Sequence, residues 1–126
     1  MQLAHFIDLL RQSKICSDSQ VDELIDTFES ERREIANDDD GIAQFCDILK
    51  SKNAATEWQC SKLRVGKWKG FHLDDYLLLE QDGKGNDYSS YRSRDIRDGS
   101  IVRVIVTPTN LSKGPNIEYR VERISA

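Results

Sequence analysis

The feature that most constrains the fold is a single change of hydrophobic period, which falls within residues 56–76. Before this stretch, apolar residues recur every three or four positions, as on one face of a helix; after it they alternate or form short runs, as in strands. The stretch also contains both tryptophans, Trp58 and Trp68, together with Phe71 and Tyr76. We therefore expect it to join a helical layer to a small sheet.

Four helices are predicted before the change of period. The first spans about residues 2–13, because Leu3, Phe6, Ile7 and Leu10 follow helical spacing. The second and fourth begin at capping boxes, in which Ser17 or Thr56 is followed three residues later by glutamine. The third begins after the break at residues 37–41, and Gly66 is expected to cap the end of the fourth.

Three or four strands are predicted after the change, at residues 75–80, 88–94, 101–107 and 117–122. The third is the strongest, because six of its seven residues are β-branched. Asp98–Gly99 before it predicts a type I′ hairpin turn. The last segment also fits a helix face, but its alternation favours a strand. The fold class is thus α+β, with a helical segment at 1–72 and an antiparallel β region at 73–126.

Charge and cysteine content narrow the function classes. Residues 1–57 carry 6 Lys and Arg against 13 Asp and Glu, whereas residues 58–126 carry 12 against 9, so only the second part favours an anionic partner. Three widely spaced cysteines predict neither a disulfide framework nor a zinc site, and Cys46 is expected to be a buried apolar residue. Without a signal peptide or a long apolar run, we expect a cytoplasmic protein that does not enter a membrane.

The segment from residue 56 to residue 95 resembles the junction between a helical segment and the kinase domain in bacterial, eukaryotic-like serine/threonine protein kinases. The matching positions are Thr56, Trp58, Gln59, Leu63, Gly66, Gly70, Phe71, Leu73, Tyr76 and Glu80. The resemblance implies that the sheet is similar to the first strands of a kinase amino-terminal lobe.

The kinase residues that carry chemistry are missing. Gly83 and Gly85 match the first two glycines of the phosphate-covering loop, but Tyr88 replaces the third, where its ring would fill the space that phosphates need. The phosphate-pairing lysine corresponds to Ile105, and its glutamate partner falls near Ile124. The sequence contains neither an Asp-Phe-Gly motif nor a catalytic loop. We therefore expect no phosphoryl transfer and no cofactor.

Other candidate sites have plainer explanations. Asp38, Asp39 and Asp40 lack the alternation of a calcium loop and suit a helix amino terminus, and His5 and His72 have no ligand partners at metal-binding spacing, so no metal site is expected. Basic and aromatic residues are interleaved at 58–72 and form candidate interaction residues. These are Trp58, Lys62, Arg64, Lys67, Trp68, Lys69 and Phe71.

The sequence thus predicts a non-catalytic regulatory or protein-interaction module related to these kinases. Its partner would be a protein, either a kinase or a second copy paired through exposed strand edges. Two alternatives remain. The chain could form the amino-terminal portion of a larger kinase that binds ATP only in that context, or a nucleic-acid binding module that uses the basic and aromatic residues at 58–72.

Overall fold

The computed structural model describes residues 1–31, 35, 37–108 and 117–123. The chain divides into two compact units, Met1–Phe71 and His72–Ala126. In the described ranges the first unit contains four helices and the second contains an antiparallel sheet. The predicted α+β fold class is confirmed.

Helices α1 (Leu3–Ser13), α2 (Asp18–Glu31), α3 (Asp38–Ser51) and α4 (Glu57–Arg64) make up the first unit. Three phenylalanines from three helices meet in its core: the ring centroid of Phe45 lies 6.3 Å from that of Phe6 and 5.6 Å from that of Phe28, both edge to face. All three rings are buried. No helix within the described ranges is long and apolar enough to cross a membrane.

Helix α4 begins and ends at the residues that the sequence indicates. Thr56 and Gln59 form the predicted capping box, in which the Gln59 backbone N–H donates to Thr56 Oγ1 (3.1 Å) and the Thr56 N–H donates to Gln59 Oε1 (2.9 Å). At the other end Gly66 adopts φ 85°, and the N–H groups of Gly66 and Lys67 donate to the carbonyls of Leu63 and Lys62. This Schellman pattern needs a left-handed residue, which explains the glycine.

The second unit is an antiparallel meander in the order β1-β2-β3-β4-β5. Its strands are β1 (His72–Leu73), β2 (Tyr76–Lys84), β3 (Ser89–Asp95), β4 (Ile101–Pro108) and β5 (Ile117–Arg123). The described sheet exceeds the expected three or four strands by β1, which is too short to produce an alternating pattern. The final segment is a strand, as its alternation predicted.

The predicted type I′ turn at Asp98–Gly99 is wrong. That turn needs a positive φ at both residues, but only Gly99 has one, at 77°. The chain instead makes a wider loop, in which the Gly99 N–H donates to the Asp95 carbonyl (2.7 Å) and the Asp95 N–H donates to the Ser100 carbonyl (2.8 Å). Side chains stabilise this loop, because Asp98 accepts from the Ser100 N–H and Asp95 accepts from the Arg97 N–H.

One face of the sheet is strongly curved. Its central residues Val102, Val104 and Ser93 are buried. Tyr119 on β5 reaches across this face: its hydroxyl donates to the Asp74 carboxylate, and its ring centroid lies 6.2 Å from that of Tyr76 on β2. Two register irregularities in β2 add local twist to the sheet. The opposite face carries a groove.

Candidate functional site

The basic and aromatic residues at 58–72 separate into small local groups. The Trp58 ring meets the buried Phe71 ring edge to face, with centroids 5.7 Å apart. Helix α4 places Lys62 one turn after Trp58, and its Nζ lies 5.8 Å from the centroid of a Trp58 ring. Lys69 Nζ lies 5.0 Å from the centroid of a Trp68 ring.

These contacts limit the ability of the basic and aromatic residues at 58–72 to bind nucleic acid. Stacking of a nucleic-acid base needs an available aromatic face. The protein's own lysines lie over one face of Trp58 and of Trp68, and Phe71 is buried. Arg64 and Lys67 are exposed. The arrangement therefore resembles internal cation–π packing more closely than a stacking platform.

An open groove of about 690 Å³ lies on the second unit, on the face opposite Val104. Four residues in register form a row across β2, β3, β4 and β5: Gly83 is paired with Ser90, Ser90 with Ile105, and Ile105 with Arg120. All four line the groove, together with Tyr88 from the hairpin between β2 and β3. The hairpin glycines could be recognised from the sequence, but this row could not, because the sequence of one strand does not give its register with its neighbours.

Gly83 and Gly85 are explained by close packing. A Cβ on Gly85 would lie 2.2 Å from Tyr88 Cε1, and a Cβ on Gly83 would lie 2.6 Å from Ser90 Oγ. Neither glycine has a positive φ. The Tyr88 ring therefore packs closely against the backbone of Gly85, which the resemblance aligns with the phosphate-covering loop.

Ile105 lies half-buried in the groove, at the position that the resemblance assigns to the phosphate-pairing lysine. The adjacent residue on β5 is Arg120. The expected glutamate position, Ile124, lies outside the described residues. Strand β5 (Ile117–Arg123) pairs directly with β4, whereas the kinase pattern has a helix after the strand that corresponds to β4.

A polar network occupies one side of the groove. The Asp82 carboxylate accepts hydrogen bonds from Ser90 Oγ (2.5 Å) and from Arg103 Nε (3.0 Å). Partial burial alone would raise the pKa of Asp82, but these two hydrogen bonds and the Arg103 charge outweigh it, so the pKa lies below its ordinary value. Arg103 is thus already paired with a carboxylate of the protein.

Among the described residues, the lining of the groove carries no excess of positive charge. Its lining contains two guanidinium groups, Arg103 and Arg120, against three carboxylates, Asp82, Asp87 and Glu122. Arg120 lies 3.7 Å from Glu122, and Arg103 pairs with Asp82. A nucleoside triphosphate would meet more negative than positive charge among these described lining residues, which disfavours its binding.

Strand β5 is the last strand of the sheet and pairs with β4 along one edge. Within residues 1–31, 35, 37–108 and 117–123, no strand pairs with its other edge. Glu118, Arg120, Glu122 and Arg123 are exposed, whereas Tyr119 and Val121 are half-buried. An open strand edge is a template for another strand. The sequence predicted exposed strand edges without saying which strand carries them. The alternation of residues 117–122 indicated that the last segment is a strand, and that strand forms this edge.

The remaining titratable groups give no site among the described residues. No three His, Cys, Asp or Glu side chains there could hold a metal ion, and His5 and His72 are both exposed. Cys46 is buried, as predicted, and shares a hydrogen bond with the buried Cys60. That bond lowers the pKa of Cys46 and raises the pKa of Cys60, and burial opposes ionisation of both thiols.

Comparison of the chain with protein-family models, with curated proteins and with solved structures yields no match. The kinase resemblance consequently rests on the matching positions in residues 56–95.

Proposed function

We propose that this chain is a non-catalytic protein-interaction module, related to bacterial serine/threonine protein kinases, that binds protein partners through the open edge of β5. The observation that carries the proposal is this edge: a seven-residue strand at the end of the sheet, with exposed side chains at 118, 120, 122 and 123. Main-chain groups of an edge supply affinity for an added strand, and alternate side chains supply specificity.

The groove supports the non-catalytic part of the proposal. Phosphoryl transfer depends on cations and backbone N–H groups held around the phosphates. Here Tyr88 packs on Gly85, Ile105 is apolar and Arg103 is paired with Asp82. Each of these contacts removes or occupies a group that a kinase would offer to the nucleotide.

The order of the strands supports the relationship to kinases. The hairpin with Gly83 and Gly85 connects β2 and β3, and Ile105 lies on the following strand, β4. This is the chain order that the resemblance implies up to β4; β5 departs from it, because the kinase pattern has a helix at that point. The alternative of a nucleotide-binding portion of a larger kinase would need a lysine where Ile105 stands. The nucleic-acid alternative is disfavoured because Lys62 and Lys69 already lie over one face of Trp58 and of Trp68.

The proposal includes a cytoplasmic location. Cys16, Cys46 and Cys60 are all free thiols and all buried. Free cysteines are typical of compartments in which thiols stay reduced.

A thermal-shift titration with Mg·ATP tests the non-catalytic part. We expect no change in melting temperature for the wild-type chain, because the described lining of the groove has no surplus cation. Stabilisation that depends on magnesium, and that disappears when Gly83 and Gly85 are replaced by valine in a variant that still folds, would contradict the proposal.

Selection of extended peptides from a displayed library tests the interaction part. Two single-proline variants, Arg120→Pro and Val121→Pro, remove N–H groups that point in opposite directions, since neighbouring residues in a strand alternate. One proline therefore removes a bond to β4 and the other removes only an outward donor. The variant that better keeps the wild-type melting temperature identifies the outward donor.

We expect this outward variant to lose the selected peptides. Arg94→Pro, on the interior strand β3, serves as the reference for a proline that breaks the sheet itself. Selected peptides that bind the outward proline variant as tightly as wild type would show that recognition does not use the β5 edge.

A further inference from the structure

The charges along β5 are arranged so that the strand complements itself. Glu118, Arg120 and Glu122 lie on one face in the order negative, positive, negative, while Tyr119, Val121 and Arg123 lie on the other. In antiparallel pairing, residues that lie opposite each other have Cβ atoms about 4.5–5.5 Å apart, so their charges interact directly. The pattern therefore decides which pairings of two identical strands are favourable.

Two β5 strands can pair antiparallel about a two-fold axis so that the two sheets form one continuous sheet. Residues that face each other must then have side chains on the same face of that sheet. This requires the axis to pass beside one residue, which is the centre of the pairing. When the centre is Val121, Arg120 of each copy faces Glu122 of the other, and Tyr119 faces Arg123. When the centre is Tyr119, Glu118 faces Arg120 and Ile117 faces Val121. When the centre is Arg120, arginine faces arginine and Glu118 faces Glu122, which is repulsive. The charge order thus favours the two odd-numbered centres and disfavours the even-numbered one.

We infer that the occupant of the open edge is a second copy of this chain, paired antiparallel through β5 in a register centred on Val121 or Tyr119. The inference rests on the proposed function and names its partner. Three observations carry it: the open edge, the exposure of the residues at 118, 120 and 122, and the self-complementary order of their charges. Tyr119 also makes β5 more rigid, because its hydroxyl donates to Asp74, which lies between β1 and β2 of the same sheet.

The dimer is expected to be weak. The pairing overlaps about five residues of each strand, which is a smaller contact than a standard interface of about 1,600 Å². Association should therefore be sought by sedimentation velocity over about 10 µM to 1 mM protein, at low and at high salt. Salt weakens the arginine–glutamate contacts, so the dimer fraction should fall as salt rises.

Charge variants test the register. Arg120→Glu makes the face uniformly negative, and we expect it to stay monomeric at concentrations where the wild type dimerises. A triple variant with Glu118→Arg, Arg120→Glu and Glu122→Arg restores a self-complementary order, and we expect it to dimerise with itself. Because its charges are opposite to those of the wild type, a mixed dimer in the register centred on Val121 or Tyr119 would place like charges face to face, whereas one centred on Arg120 would place opposite charges face to face. A fluorescence subunit-exchange assay should therefore show mixed dimers only if the strands shift to the register centred on Arg120.

Arg94→Glu is the matched control, since it makes the same change of net charge at an exposed position of the interior strand β3. Circular dichroism checks that each variant keeps its sheet. A wild-type chain that stays monomeric throughout, or an Arg120→Glu variant that associates as strongly as wild type, would overturn the inference. A monomeric chain that still binds selected peptides at β5 would overturn the dimer alone, whereas magnesium-dependent ATP binding would overturn the proposed function.

Discussion

Replacing Gly85 with alanine should destabilise the hairpin between β2 and β3 because of a single neighbour. The added Cβ would lie 2.2 Å from Tyr88 Cε1 and 2.7 Å from Tyr88 Cδ1, well inside van der Waals contact. The ring must move by more than about 1 Å to relieve this overlap. Overpacking of this kind typically costs about 1–3 kcal/mol. Because Tyr88 is 45% exposed and its ring can turn toward solvent, we expect the lower half of that range.

A double-mutant cycle separates this packing from any other role of the glycine. In a Tyr88→Ala background the overlap disappears, and Gly85 has no positive φ that alanine would find strained. There, Gly85→Ala should be neutral or stabilise by about 0.5 kcal/mol through the unfolded chain. Gly83→Ala is the control, since its Cβ would meet Ser90 Oγ at 2.6 Å and its cost should persist without the Tyr88 ring.

Amide hydrogen exchange of β2 and β3 reports the opening free energy of the hairpin in each variant. We expect a coupling free energy of about 1–2 kcal/mol between positions 85 and 88. An equal cost of Gly85→Ala in both backgrounds would refute the packing explanation. A variant with unchanged exchange but reduced Mg·ATP binding would instead indicate that the glycine serves phosphates.

Three further changes test the rest of the structure. Phe45→Ala should lower the free energy of unfolding by about 3–5 kcal/mol, because its buried ring contacts two others, as measured by urea unfolding. Thr56→Ala should cost about 1 kcal/mol in the same assay through loss of the capping box. Hydrogen bonds from Arg97 lower the pKa of Asp95 in the folded protein. Their stabilisation is therefore present above the carboxyl pKa of about 4 in the unfolded chain, and it is lost as pH falls through the lower pKa of the folded protein. Arg97→Gln should consequently flatten the acid side of the profile of melting temperature against pH.

Each of these has a clear contrary outcome. A loss below about 1 kcal/mol in Phe45→Ala would mean that the helical core does not depend on this ring. Thr56→Ser, which keeps the hydroxyl, is the control for the cap and should stay close to wild type. An acid profile of Arg97→Gln that matches wild type would show that Asp95 is not stabilised by the guanidinium.

The helices could be predicted from the sequence because their signals are local. Thr56 and Gln59 lie one turn apart, and Gly66 ends the same helix, so capping chemistry fixes both ends within a short segment. The turn at Asp98–Gly99 shows the limit of such local rules. There the side chains of Asp95 and Asp98 accept backbone hydrogen bonds, and this favours a wider loop over the two-residue turn.

The candidate site was less predictable because it depends on strand register. Asp82 meets Ser90 eight positions away and Arg103 twenty-one positions away, across a strand whose register is irregular. The contact between Tyr88 and Gly85 was predictable, since both lie in one hairpin. The position of Lys62 and Lys69 over tryptophan rings was not, because the sequence does not give side-chain direction.

The measurement that tests the central claim most directly is an amide NMR spectrum of the full chain, recorded with increasing protein concentration and again with Mg·ATP. We predict that concentration shifts the amides of residues 118–123, while Mg·ATP leaves residues 82–90 and Ile105 unchanged. Shifts at Gly83, Gly85 and Ile105 on addition of Mg·ATP, with β5 unaffected by concentration, would contradict a module that acts through its strand edge.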